Sequence, residues 1–171
     1  MDFNLSHSRG RIVLLVGRNR LFGIDVEETG RVRKSIDIAD RFFSRKEAQA
    51  LSALPDDAKP LRFIEYWTLK EAYIKARGMG LRLPLDQFSF ELESSDGEIS
   101  ISFGPRITDR PSRWWFALDP PAPQPRSKAQ KMPRHQLAWA IERDENGGVP
   151  RIVQHDASQL FLPSKDKEHS E

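Results

Sequence analysis

Residues 61–77, LRFIEYWTLKEAYIKAR, constrain this chain more than any other stretch. Apolar residues recur there at helical spacing, and neither Gly nor Pro interrupts them. Pro60 stands just before the run, where a missing N–H does no harm in a first helical turn, and Gly78 stands just after it as a left-handed C-cap. The spacing predicts one long helix with Leu61, Ile64, Thr68 and Ala72 along one side. Such a helix must bury its stripe against something, so the flanking segments are read as its cover.

Upstream, residues 11–16 (RIVLLV) and 21–27 (LFGIDVE) read as strands, and residues 17–20 contain Gly and Asn suited to a hairpin turn between them. Ile36, Ala39, Phe42 and Phe43 recur at helical spacing. Ser44 with Glu47 three residues on forms a capping box for a helix over 45–54, which Pro55 ends. Downstream, residues 87–92 and 99–103 alternate as strands around an Asp96-Gly97 turn, with Phe88, Phe90 and Leu92 on one face. Two more strands are expected at 113–118 and 136–141, and a short one near Ile152 and Val153. This order predicts an α+β fold: an antiparallel sheet packed against one long and one or two shorter helices.

The 171 residues hold no cysteine, which excludes a disulfide scaffold, a zinc-thiolate site and thiol catalysis. With 38% hydrophobic and 30% charged residues the chain is too apolar for wholesale disorder and too polar for a membrane protein. No apolar run reaches the ~18 residues of a membrane span, and the first ten residues lack a signal-peptide core. A cytoplasmic location is expected. The net charge of +2 is unevenly placed: residues 106–134 carry seven bases against Asp109 and Asp119. That segment can meet a polyanion or an acidic protein, or simply be solvated. Its Pro-rich basic loop at 119–135 lacks the interleaved aromatics of a nucleic-acid groove, so no nucleic-acid partner is expected.

Three small constellations carry potential chemistry. Asp25 and Glu27 lie two apart on a strand and share a face. Two adjacent carboxylates repel unless a cation relieves them, although a solvated strand end has the same pattern. On the long helix Trp67, Glu71 and Lys75 form a stripe at four-residue spacing, with Lys70 about 100° from Glu71; Glu71 and Lys75 also suit a plain surface ion pair. Ser6-His7-Ser8 suits either a phosphate contact or an ordered turn.

In combination these elements are specific. FNLSHS at 3–8, FGIDVE at 22–27 and, about 40 residues on, WTLKEAYIKARGMGL at 67–81 resemble the 4′-phosphopantetheinyl transferases of the surfactin-synthetase-activating type. The resemblance covers residues 3–92 and implies transfer of the phosphopantetheine arm of coenzyme A to a serine of an acyl or peptidyl carrier protein, releasing 3′,5′-ADP. It implies Asp25, Glu27 and Glu71 as ligands of Mg2+, or Mn2+ in its place. Glu71 would be the base toward the carrier serine, and Lys75 would neutralise the transferred phosphate or the leaving group. Lys70 is expected near phosphate, Trp67 mainly in packing, and Ser6 and His7 at the coenzyme, His7 on its 3′-phosphate.

Members of that type are usually two similar halves in one chain, and this chain starts at about the SHS element. Residues 1–10 then read as a remnant of the linker between halves, 11–160 as one half of the pseudo-two-fold fold with a Pro-rich basic loop at 119–135, and 161–171 as a disordered tail. A misassigned start, a truncated gene, and pairing with another copy or chain are the open explanations. The rival readings are a catalytically incomplete half that binds a carrier protein or partner chain without transfer, and a magnesium-dependent phosphohydrolase.

Overall fold

The computed structural model describes residues 1–29, 39–92, 97–119 and 135–157. Its elements are β1 (Asp2–Ser8), β2 (Arg11–Gly17), β3 (Phe22–Glu28), α1 (Ala39–Phe42), α2 (Arg45–Ser52), α3 (Lys59–Arg77), β4 (Phe88–Glu91), β5 (Ser100–Phe103), β6 (Trp114–Asp119) and β7 (His135–Glu142). The α+β expectation holds. The long helix forms as its boundaries dictate, with Pro in the first turn and Gly78 left-handed at φ 62°. Ser44 caps α2 in a reciprocal capping box with Glu47.

The centre is a three-stranded antiparallel sheet in the order β3-β7-β6. Its two faces follow from strand alternation. Phe22, Ile24, Val26, Leu137, Trp139 and Ile141 form a core on one side, covered by Val13 and Leu15 of β2. The other side carries small residues where α3 lies: Gly23, and the fully buried Ala138 and Ala140. A Cβ on Gly23 would stand 2.1 Å from the Ala72 carbonyl oxygen and 2.5 Å from the Ala76 nitrogen, so glycine alone permits this approach of helix to strand. Beyond α3 the larger core adds Phe63, Leu69, Tyr73, Phe88, Phe90, Ile101, Trp114 and Phe116.

Several expectations need correction. The opening hairpin joins β1 to β2, with Leu5 opposite Leu14, while β3 pairs with β7 instead of β2. Residues 17–20 therefore connect two different sheets, with Asn19 at φ 55°. Leu61 is exposed, because the buried stripe of α3 begins at Phe63 and Ile64. Residues 151–157, which include Ile152 and Val153, take no regular structure. The pairing of β4 with β5 is as expected, with Phe88 and Phe90 buried and Leu92 half-buried against the core. Ile36, Asp96, most of the 119–135 loop and the tail lie outside the described residues. Among the described residues no helix is long and apolar enough to cross a membrane.

Candidate active site

Asp25 and Glu27 project from β3 on the face that α3 covers, and Glu71 and Lys75 project from α3 toward them. The narrow crossing at Gly23 sets the approach. Lys75 Nζ lies 2.7 Å from Asp25 Oδ1 and donates to the Ile24 carbonyl at 3.2 Å. Asp25 is 4% exposed, and its Oδ2 is buried without a hydrogen-bond partner. Burial raises the Glu27 carboxyl above its ordinary range, Asp25 and Glu71 push it further, and a hydrogen bond from Trp67 opposes them. Burial likewise raises Glu71, the Asp25 charge adds to it, and Lys75 opposes it. Among the described residues, three carboxylates thus share one electrostatic neighbourhood with Lys75 as its bound lysine.

Among the described residues no group of three His, Asp or Glu side chains is drawn together as a ready-made metal cage. The donor set nevertheless suits a hard divalent cation. It offers carboxylate oxygens alone, one of them buried and unpartnered, and two neighbours whose charged forms are disfavoured in the absence of more positive charge. Because both glutamates hold protons that the unfolded chain has already released just above pH 4.5, their contribution to folding stability falls as pH rises through that window. In chelator at pH 7, Glu71→Gln should therefore raise the melting temperature, by ~2–4 °C for each kcal/mol relieved, with no gain near pH 4. A lower melting temperature at pH 7 would mean that the pairing of Glu71 with Lys75 outweighs the repulsion.

The remaining expected site residues divide. Trp67 stacks at 6.3 Å on Phe63 and meets Phe42 edge-on, as packing requires, but it also donates to Glu27. Ser6 is buried; its hydroxyl donates to Asp25 Oδ1 at 2.7 Å. His7 points to the opposite, exposed side of β1, away from Asp25. Lys70 does not join the cluster. It is fully buried on another side of α3, where its three protons go to Glu47 Oε2 at 2.8 Å, the Leu85 carbonyl at 2.8 Å and the Phe88 carbonyl at 2.6 Å. The 100° between Lys70 and Glu71 turns one residue into the core and the other toward β3.

Two contributors escaped the sequence reading: Gly23, which admits the helix, and Ser6 as the partner of Asp25. The alternation of polar Asn4, Ser6 and Ser8 with apolar Phe3 and Leu5 was a visible strand signal for the latter.

Residues 21–132 match the family described as the 4′-phosphopantetheinyl transferase superfamily. The 4′-phosphopantetheinyl transferase Sfp of Bacillus subtilis is 44% identical over 99 residues, covering 58% of this chain and 42% of that protein. HetI, a 4′-phosphopantetheinyl transferase of a Nostoc species, is 43% identical over 79 residues, covering 46% of this chain and 33% of that protein. The L-aminoadipate-semialdehyde dehydrogenase-phosphopantetheinyl transferase of Xenopus laevis is 31% identical over 124 residues, covering 67% of this chain and 41% of that protein. The chain thus spans less than half the length of these curated relatives. The crystal structure of Thermotoga maritima holo-[acyl-carrier-protein] synthase aligns with a TM-score of 0.49 at 19% identity, over 71% of this chain and 62% of that one. The family match takes in β3 with its carboxylates and α3 with Glu71 and Lys75, and the chain belongs to the 4′-phosphopantetheinyl transferase superfamily.

Proposed function

We propose that this chain is the carboxylate-bearing half of an enzyme that moves the 4′-phosphopantetheine arm of coenzyme A onto a serine of an acyl or peptidyl carrier protein in the cytoplasm, releasing 3′,5′-ADP. The observation that carries the reading is the meeting of Asp25, Glu27, Glu71 and Lys75 at the β3–α3 crossing, with Asp25 Oδ2 buried and unpartnered. Asp25, Glu27 and Glu71 would hold Mg2+ or Mn2+, and such an ion, when bound, neutralises pyrophosphate oxygens and orients them. Glu71, with its carboxyl raised by burial and by Asp25, is placed to take the proton of the carrier serine, directly or through one water. Lys75 brings a positive charge toward the phosphate that leaves. His7 is exposed and free to meet the 3′-phosphate. Residues 1–10 would belong to the linker between halves, residues 11–160 to this half, and the basic 106–134 segment would face acidic carrier surface.

Incubation of the chain with apo carrier protein, coenzyme A and magnesium should add the phosphopantetheine mass to one serine, and Glu71→Gln should slow that transfer about 100-fold or more, the scale of a lost general base. Transfer undiminished in Glu71→Gln would remove Glu71 as the base.

A second reading draws on one observation. The outer face of the β1–β2 hairpin exposes Phe3 (73%), Ile12 (75%), Leu14, Leu5 and Val16, an apolar patch on a chain of this size. If the site needs a covering half or a second copy, the chain alone will bind the carrier protein and add no mass. Phosphate release without transfer would instead favour a phosphohydrolase.

A further inference from the structure

Strand β1 reaches β3 through its side chains. Asn4 Oδ1 accepts the Ile24 N–H at 3.0 Å, Ser6 Oγ accepts the Val26 N–H at 3.3 Å and Ser8 Oγ accepts the Glu28 N–H at 3.1 Å. The residue numbers rise together, so β1 runs alongside β3 in the same direction, and alternate polar residues satisfy the edge that β7 leaves open. In this row Ser6 has an additional task. A hydroxyl has one proton, and since Ser6 Oγ accepts from Val26, that proton is free to be given. It goes to Asp25 Oδ1 at 2.7 Å, the same oxygen that Lys75 holds at 2.7 Å from α3. Ser6 and Asp25 are 5% and 4% exposed, so water does not compete for these bonds.

The terminal torsion of a carboxylate is soft, and one donor leaves it free to turn. Here two donors, one from each flanking element, converge on Oδ1, and Oδ2 is buried with no partner. We propose that Ser6 is a positioning residue: from β1 it fixes the rotation of Asp25 against Lys75, leaving Oδ2 as the one oxygen Asp25 presents to a divalent cation. The inference rests on the metal-binding reading above and reassigns Ser6 from the coenzyme to the carboxylate cluster.

Titration of the full chain with Mn2+ alone, read by the electron-paramagnetic-resonance signal of the free ion, tests it without turnover. The unsubstituted chain should bind Mn2+, and Ser6→Ala should bind it about tenfold more weakly or worse, the usual scale for removing a residue that orients a ligand. Asn4→Ala and Ser8→Ala each remove the same kind of docking bond without touching Asp25, and should stay within about threefold of the unsubstituted chain, well short of that scale. Should Ser6→Ala fail to fold, Ser6→Cys, whose thiol is a weaker donor, carries the comparison with an intermediate loss. Mn2+ affinity unchanged in Ser6→Ala, or lost equally in Asn4→Ala, overturns the positioning role. Absence of Mn2+ binding by the unsubstituted chain overturns the metal reading and this inference with it.

Discussion

Gly23→Ala should be among the most damaging single-methyl changes in this protein. The added Cβ would stand 2.1 Å from the Ala72 carbonyl oxygen and 2.5 Å from the Ala76 nitrogen, and both are backbone atoms of a helix that cannot rotate away like a flexible side chain. Either α3 lifts from β3 or β3 bends toward β2, which covers its other face. Overpacking of a core ordinarily destabilises by about 1–3 kcal/mol, and a clash with backbone on both fronts belongs at or above the upper end. A fall in melting temperature of ~6–12 °C follows, at ~2–4 °C per kcal/mol. The same shift pulls Lys75 from Asp25 and Glu71 from both, so transfer activity should fall further than stability alone explains. Gly78→Ala is the matched control. Nothing lies within 4 Å of a Cβ there, so only its left-handed backbone opposes the change, at about 1–2 kcal/mol. Thermal melts of the two variants decide it: a Gly78→Ala loss equal to or larger than that of Gly23→Ala would show that the crossing has slack.

The contrast between these glycines also marks what can be read from sequence here. Gly78 was legible as a helix stop because its role is local, set by the run before it. The capping box of Ser44 and Glu47, the limits of α3 and the alternation of β4 and β5 are local in the same sense, and each formed where the residues place it. Gly23 is required by a residue 49 positions away, and no local pattern encodes that. The partner of β2 was missed for the same reason: residues 17–20 suit a hairpin, yet Phe22, Ile24 and Val26 find more apolar cover against Leu137, Trp139 and Ile141 in β7 than an isolated ribbon offers. The carboxylates and Lys75 were legible through family resemblance and helical spacing together. Spacing gave the angle between Lys70 and Glu71 but not which side of the helix the sheet would cover, so Lys70 was assigned to the wrong surroundings.

Lys70→Met therefore reads out the core rather than the phosphate. Lys70 is fully buried, 4.2 Å over the Phe88 ring, and burial lowers its pKa in spite of the Glu47 charge beside it. It ties α3 to Glu47 of α2 and to the carbonyls of Leu85 and Phe88. Glu47 in turn accepts the Ser44 N–H at 3.0 Å and the Phe90 N–H at 3.0 Å. Methionine fills much of the same volume but leaves a buried carboxylate without its cation and two carbonyls without their donor. Breaking one side of a buried pair destabilises by about 3–5 kcal/mol. The melting temperature should drop by roughly 10 °C or more, with the KM for coenzyme A unchanged in the folded fraction. Neutralising the stranded partner should recover part of the loss, so Lys70→Met with Glu47→Gln is expected to be more stable than the sum of the two single changes by about 1–2 kcal/mol, a coupling that urea unfolding of all four chains measures. If Lys70→Met instead keeps its melting temperature within about 2 °C, less than one kcal/mol, and raises the KM for coenzyme A, the lysine leaves the core in solution and the phosphate role stands.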